Sequence, residues 1–368
     1  MIPIEIYSTV YYLILSILVV LSILPLFKYS DLNSFPRSNL KLGNILLLSI
    51  TILFIGLRDP WGNWRYLGDT SAYSLMFQEI DNIKFYEAKD IGFTFFMYLC
   101  KIFLNHQFFF LVSALLYVGF VYLFAKRTSK ENGFFLFVMF VTSMSFWSFG
   151  INGVRNGLAT SLFLYALTFR NKKWFLFLFM LISISFHKSM ILPVIAYFIA
   201  NYFTNTKLLI RIWFVSVVVS YFFGNYIETY ISNLIVENAF EDSRFMTFTS
   251  ENGIDLEVST RSFRLDFILY SSIPIFLGYF YRYKRNFNEV FYLQLLHTYI
   301  ITNTVWVLLI YSSFTNRTAY LSWFLMPFIL VYPLLRNNHL FKKQNNILGI
   351  FFILSLFFTL FIYFNSSI

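Results

Sequence analysis

The stretch "LISISFHKSMILPV", Leu181 to Val194, sets a histidine–lysine pair between two apolar runs. On insertion scales a lysine at the centre of a membrane helix costs about 2.5–3.5 kcal/mol. Either the pair lies at a membrane surface, or a buried partner holds it. Deciding between these fixes where the flanking helices end, and with them the topology of the chain.

Composition narrows the frame. Hydrophobic residues make up 58% of the chain and charged ones 12%, with a mean hydropathy of +0.65, which excludes a soluble globular protein. Repeated apolar runs of about 20 residues satisfy their backbone in lipid only as helices, so the expected class is an all-α integral membrane protein. The single cysteine, Cys100, excludes an internal disulfide. The formal charge of +10 is the signature of basic cytoplasmic loops and not of nucleic-acid binding. The first apolar run, 7–27, is too long for a signal-peptide core and lacks a basic leader, so it is expected to be retained.

Twelve candidate spans follow: 5–27, 41–57, 107–125, 133–149, 156–169, 174–186, 190–203, 208–223, 265–281, 289–311, 318–335 and 347–364. They read as one polytopic membrane domain over 1–368. The basic turns "AKRTSK" (125–130), "RNKK" (170–173), "RYKR" (282–285) and "RNNHLFKK" (336–343) belong in the cytoplasm by the positive-inside rule, as does loop 28–41. Counting spans then places Arg155, His187–Lys188, the 224–264 loop and Arg317 on the opposite, periplasmic face. Loop 58–90, with four Lys/Arg against six Asp/Glu, falls there too. The apolar segment 91–105 would break this parity by crossing, so 58–106 reads as a periplasmic loop, an amphipathic helix and a re-entrant segment. An N-terminus inside, with a cytoplasmic 58–90 loop, is the alternative. On the first reading His187 and Lys188 sit at an outer helix junction, within reach of water or a cavity.

That face collects arginines. "GLRDPWGNWRYLGDTSAYSLMF" (56–77) supplies Arg58, Arg65 and Asp69, and sets Tyr73, Phe77 and Ile80 on one side of an amphipathic helix expected to lie at the interface. "FGINGVRNGLATS" (149–161) puts Asn152 and Arg155 among small and polar residues that break one helix and begin the next. "SSFTNRTAYLSWF" (312–324) carries Arg317, and "STRSFRLDF" (259–267) adds Arg261 and Arg264. A guanidinium fork binds phosphate oxygens in a bidentate way and keeps its charge, so the set suits a phosphate-bearing ligand. Each residue also has a plainer role. Arg65, Arg261 and Arg264 fit headgroup anchors; Asp69 fits a helix N-cap; His187 fits a hydrogen-bonder in a bend; Asn152 fits a local cap.

Other chemistries are missing. Four scattered histidines (106, 187, 297, 339) and one cysteine give no zinc spacing. No Walker loop, dinucleotide glycine pattern or Gly-x-Ser-x-Gly elbow appears. No Asp-x-Asp pair is present to hold a divalent ion; "IDLE" (254–257) is the nearest approach. No metal ligands and no cofactor are therefore expected.

Read in order, these pieces resemble the EpsG family of polysaccharide polymerases, relatives of the Wzy O-antigen polymerases. The pattern is an Arg followed about ten residues later by Gly-Asp and a Tyr, here Arg58, Gly68, Asp69 and Tyr73. An Arg in a small-residue setting follows, "NGVRNGLATSLFLYAL" (152–167), then the Phe-His-Lys-Ser junction Phe186 to Ser189. A late Arg and Tyr, Arg317 and Tyr320, complete it. Trp61, Trp64 and the 224–264 insert depart from the pattern.

The resemblance implies a GT-C-like polytopic glycosyltransferase in the bacterial inner membrane, acting at the periplasmic face in O-antigen or related polysaccharide synthesis. Its donor would be a glycan on undecaprenyl pyrophosphate and its acceptor a lipid-linked repeat unit, with membrane lipids and a chain-length regulator protein as partners. In that frame Arg58, Arg155, Arg317 and Lys188 hold pyrophosphate, and His187 is the base, with Asp69 its competitor or a sugar-orienting group. Arg65, Tyr73, Asn152, Arg261, Arg264 and Tyr320 are further substrate contacts. An O-antigen ligase shares the donor and the arginine logic; a lipid-linked-oligosaccharide flippase is the rival from another class.

Overall fold

The computed structural model describes residues 2–28, 37–82, 88–236, 263–312, 315–337 and 340–366, and no β-strand occurs among them. In chain order the helices are α1 (Ile4–Lys28), α2 (Arg37–Gly56), α3 (Trp64–Leu67), α4 (Thr70–Glu79), α5 (Ile91–Phe103), α6 (His106–Ser129), α7 (Gly133–Val141), α8 (Met144–Ile151) and α9 (Val154–Leu167). There follow α10 (Lys173–Phe186), α11 (Ile191–Ile199), α12 (Thr206–Val236), α13 (Leu265–Lys284), α14 (Val290–Leu308), α15 (Thr315–Trp323), α16 (Met326–Arg336) and α17 (Gln344–Ser366). The expected spans fall on helices, with 133–149 and 318–335 each divided between two. Five stretches are long and apolar enough to cross a bilayer on length and composition alone: Ile4–Lys28, His106–Val141, Thr206–Ile227, Thr315–Arg336 and Gln344–Asn365. Four shorter apolar helices, Leu40–Gly56, Ile91–Phe103, Lys173–Phe186 and Lys188–Ile199, fall below that length. Breaks such as the one at His187 are what shorten them.

Two compact units divide the chain, Met1–Val194 with Met326–Ile368, and Ile195–Leu325. In the first, α6 packs against α2, α7 and α9, and α9 packs against α10. Helix α7 is buried on all sides, as its unbroken apolar sequence requires. Its end at Thr142 divides the expected 133–149 span, and the freed Thr142 carbonyl accepts from the hydroxyls of Ser355 (3.1 Å) and Thr359 (2.8 Å) on α17. Neighbouring hydroxyls of this kind are how lipid-embedded helices tolerate a break. On α1 the exposed residues include Leu13, Ile17, Leu21 and Leu24, and on α17 Ile350, Ile353, Phe357 and Phe361. An apolar stripe facing outward is the pattern lipid demands and water penalises.

Helix α5, with 13 residues, spans about 20 Å against a hydrocarbon core of about 30 Å. It lies against α10, α6 and α4. Its N-terminus comes close to α10 because residue 92 is glycine: a Cβ there would stand 2.2 Å from Ser185 Oγ. In the second unit α12 packs along α14, and α14 against α13 and α15. Helix α12 continues to Val236, into the stretch expected to be a loop from residue 224. The remainder of that loop, 237–262, lies outside the described residues and takes Arg261 with it.

Candidate functional site

In the first unit the start of α9, the end of α10 and the start of α5 meet at one end. Helices α9 and α10 run antiparallel, pinned by the buried Ser183 hydroxyl, which donates to the Ala159 carbonyl at 2.7 Å. Gly157 lets α8 and α9 fold tightly, since a Cβ there would stand 2.5 Å from the Phe149 carbonyl. These contacts set Arg155, in the first turn of α9, beside His187, which ends α10 in an extended conformation.

What joins them is Asp90, a residue the sequence reading passes over. It precedes α5, and its side chain is 2% exposed. Its Oδ2 accepts from Arg155 Nη1 at 3.1 Å and lies 3.4 Å from His187 Nδ1. Its Oδ1 accepts the Lys188 backbone N–H at 3.0 Å. Burial alone would push the Asp90 carboxyl up. The hydrogen bond and charge of His187, the charge of Arg155 and the Lys188 amide outweigh it and hold the carboxyl below the ordinary range. An ionised carboxylate only accepts, so Nδ1 of His187 carries the proton toward it. When the imidazole is neutral, that tautomer leaves its lone pair on Nε2, the arrangement in which a carboxylate orients a general base. His187 and Arg155 are partly exposed, at 23% and 25%, and Lys188 is exposed, so a ligand can reach all three.

The Gly68–Asp69 turn closes over the same end. Gly68 has φ +53°, and a Cβ there would stand 2.6 Å from Asn152 Oδ1. Asn152 Oδ1 in turn accepts the Asp69 backbone N–H at 3.1 Å. Asn152 is thus a clamp between the turn and the α8–α9 junction. Asp69 occupies the N-cap position of α4 without a side-chain cap bond. Tyr73 is buried beneath Arg155, whose backbone N–H donates to the Tyr73 hydroxyl at 3.5 Å. Tyr73, Phe77 and Ile80 do share one face, but it packs on protein: Tyr73 meets Phe93, and Phe77 meets Phe109 and His106. The expected interfacial helix is an inward-facing one.

Arg58 has a different setting. It is 1% exposed, with Nε donating to Thr70 Oγ1 at 2.9 Å and Nη1 donating to the Ile55 carbonyl. Its guanidinium lies 4.2 Å from the centre of the Phe110 ring. Burial pushes its pKa down to about 9, opposed by Tyr7 and Tyr73. Enclosed this way, the guanidinium expected to hold pyrophosphate is turned to protein and not to the surface. Gly56 makes the enclosure possible, because a Cβ there would stand 2.9 Å from Leu111 Cα of α6.

The other expected residues scatter. Arg65 is exposed on α3. Arg264 is half-buried, and its fork is occupied by Asp266, with Nε–Oδ1 3.0 Å and Nη2–Oδ2 2.7 Å. In the second unit Arg317 is exposed near the start of α15, and the Tyr320 ring lies tilted against Trp323 at 5.5 Å between centroids. Among the described residues no group of three or more His, Cys, Asp or Glu side chains is placed to hold a metal ion.

A family model described as the EpsG family matches residues 41–368. No curated protein and no solved structure matches the chain.

Proposed function

Because the chain belongs to the EpsG family, a family of Wzy-like polymerases, we propose that it lengthens a bacterial surface polysaccharide such as O-antigen. It transfers a growing glycan from undecaprenyl pyrophosphate onto a lipid-linked repeat unit, at the periplasmic face of the inner membrane. The chain crosses that membrane about twelve times with α5 as a re-entrant helix, in the manner of a GT-C glycosyltransferase. Such topology leaves the Asp90 end of the first unit outside. The observation that carries the mechanism is the buried Asp90 carboxylate shared by His187 and Arg155.

The acceptor hydroxyl gives its proton to Nε2 of His187 as its oxygen attacks the anomeric carbon of the donor's reducing-end sugar. The bond from that carbon to the pyrophosphate oxygen breaks, and its electron pair leaves with the lipid pyrophosphate. Negative charge builds on the leaving group, where Arg155 and the exposed Lys188 supply compensating cations. Arg155 exchanges part of its hold on Asp90 for phosphate oxygens. Arg317 is kept as a phosphate ligand on the strength of the family motif alone, and no metal ion is required. Asp69, Tyr73 and Asn152 shape the sugar side of the cleft.

Purified protein given lipid-linked repeat units alone should produce a ladder of longer glycans, and His187→Ala at equal abundance should produce none. A ligase would need a lipid A–core acceptor and a flippase would leave glycan length unchanged. A single-repeat product from active protein would therefore overturn the proposal.

A further inference from the structure

The second unit carries two cations on a surface built for lipid. Lys207 and Arg211 lie one turn apart on α12, both exposed, among the exposed Leu208, Ile212, Phe214 and Val215. Arg211 falls inside Thr206–Ile227, a stretch apolar and long enough to cross a bilayer. It sits about 7.5 Å along the helix from Thr206. A charge at that depth is costly unless it reaches a headgroup or meets an anion.

Beside it runs a groove of about 480 Å³, lined by Ile210, Arg211, Trp213, Phe214 and Val215 of α12 and by Phe276 of α13. Arg211 is the sole charged residue of that lining. The walls are held rigidly. Trp213 Nε1 donates to Asn303 Oδ1 at 2.7 Å, and Asn303 Nδ2 donates to Ser322 Oγ at 2.9 Å. Arg282 Nη1 donates to the Thr204 carbonyl at 2.9 Å and to the Thr206 hydroxyl, tying the end of α13 to the start of α12. Lys207 Nζ lies 4.8 Å from the Tyr283 ring centre and the Arg282 guanidinium 5.3 Å from it. The exposed Lys284 and Arg285 follow directly.

We propose that this groove is a specific site for one anionic phospholipid. An acyl chain lies along Ile210, Phe214 and Phe276, and the phosphate rests between Arg211 and Lys207. Charge complementarity argues for that occupant: the guanidinium fork matches two oxygens of a phosphodiester, and the second cation compensates a net negative headgroup. By the positive-inside rule the "RYKR" turn faces the cytoplasm, where anionic lipids favour basic segments. A zwitterionic lipid fills the groove equally well but leaves the second cation unmatched.

Native mass spectrometry of the purified full chain, titrated with phosphatidylglycerol or phosphatidylcholine, tests this. Phosphatidylglycerol should bind with a stoichiometry of one, at least ~10-fold tighter than phosphatidylcholine, a difference of about 1.4 kcal/mol. Lys207→Gln with Arg211→Gln should remove the preference at unchanged melting temperature. Phe276→Ala should weaken both lipids. Equal affinity for the two lipids, or retention of the preference in the double variant, would overturn the site. So would undecaprenyl phosphate outcompeting phosphatidylglycerol, which would assign the groove to a polyprenyl phosphate instead. Should the double variant melt early, quenching of Trp213 by bromine-labelled phosphatidylglycerol in the wild type, absent in Trp213→Phe, keeps the test open. Failure to quench counts against the site.

Discussion

Arg58 and Arg155 are both arginines just beyond an apolar helix end, and the sequence gives them the same role. The fold separates them. Arg58 is swallowed between α2, α4 and α6, where Thr70, the Ile55 carbonyl and the Phe110 ring replace water. Arg155 stays partly exposed and is matched by a carboxylate that also holds a histidine. One is held by hydroxyl, carbonyl and ring; the other shares an anion with an imidazole at a surface a ligand can reach. The lesson is that residue type and position at a span end do not fix an arginine's partner or its exposure; helix packing does.

The largest effect should come from the shared carboxylate. Asp90→Asn keeps the shape but frees the imidazole to adopt the wrong tautomer and loosens Arg155. Polymerisation per folded molecule should fall at least ~100-fold, about 2.7 kcal/mol of transition-state stabilisation. Glycan ladders normalised to protein abundance measure it, and a purely structural Asp90 would lower abundance while sparing turnover. The cluster's stability has its own pH signature. The folded Asp90 carboxyl is depressed, so its contribution is complete above the ordinary carboxylate range, near pH 4, and is lost only as pH falls through the lower folded value. Melting temperatures of wild type and Asp90→Asn should accordingly differ at neutrality and converge in acid.

Next in size, Arg155→Lys should cut polymerisation by at least ~10-fold, about 1.4 kcal/mol, because a point charge does not replace the planar fork. The Arg317→Lys protein should show a similar loss if the family motif marks a phosphate ligand. Arg58→Lys should behave in the opposite way: a lower melting temperature, with turnover per folded molecule within about twofold. A turnover defect in a fully stable Arg58→Lys protein would erase the contrast between the two arginines. Arg65→Lys, at an exposed position, should be nearly silent in both assays.

Much of the fold is legible in the sequence, because a helix in lipid is specified by length and hydropathy alone. The apolar stretches are helical, and the Tyr73, Phe77, Ile80 spacing marks one buried face of α4 and the residue that ends it. What that face packs against is not legible, since an aromatic stripe suits lipid and protein equally. The junction "FHKS" stands out because a charge between apolar runs needs a partner. The partner itself does not. Asp90 reads as a carboxylate before an apolar run, an ordinary helix start. Its pairing with residues 65 and 97 positions away is made by helix packing that Gly92 and Gly157 permit. The 2.9 Å approach at Gly56 that buries Arg58 is equally invisible before the helices are placed.

The most direct test is the pH–rate profile of glycan-ladder formation by purified wild type and Asp90→Asn protein, with saturating lipid-linked repeat units. For the wild type the rate should fall in acid, since a general base must be unprotonated to accept the hydroxyl proton. In Asp90→Asn the plateau should drop at least ~100-fold, because the carboxylate that orients the imidazole and holds Arg155 is gone. Superimposable profiles with equal plateaus would contradict a carboxylate-held histidine base.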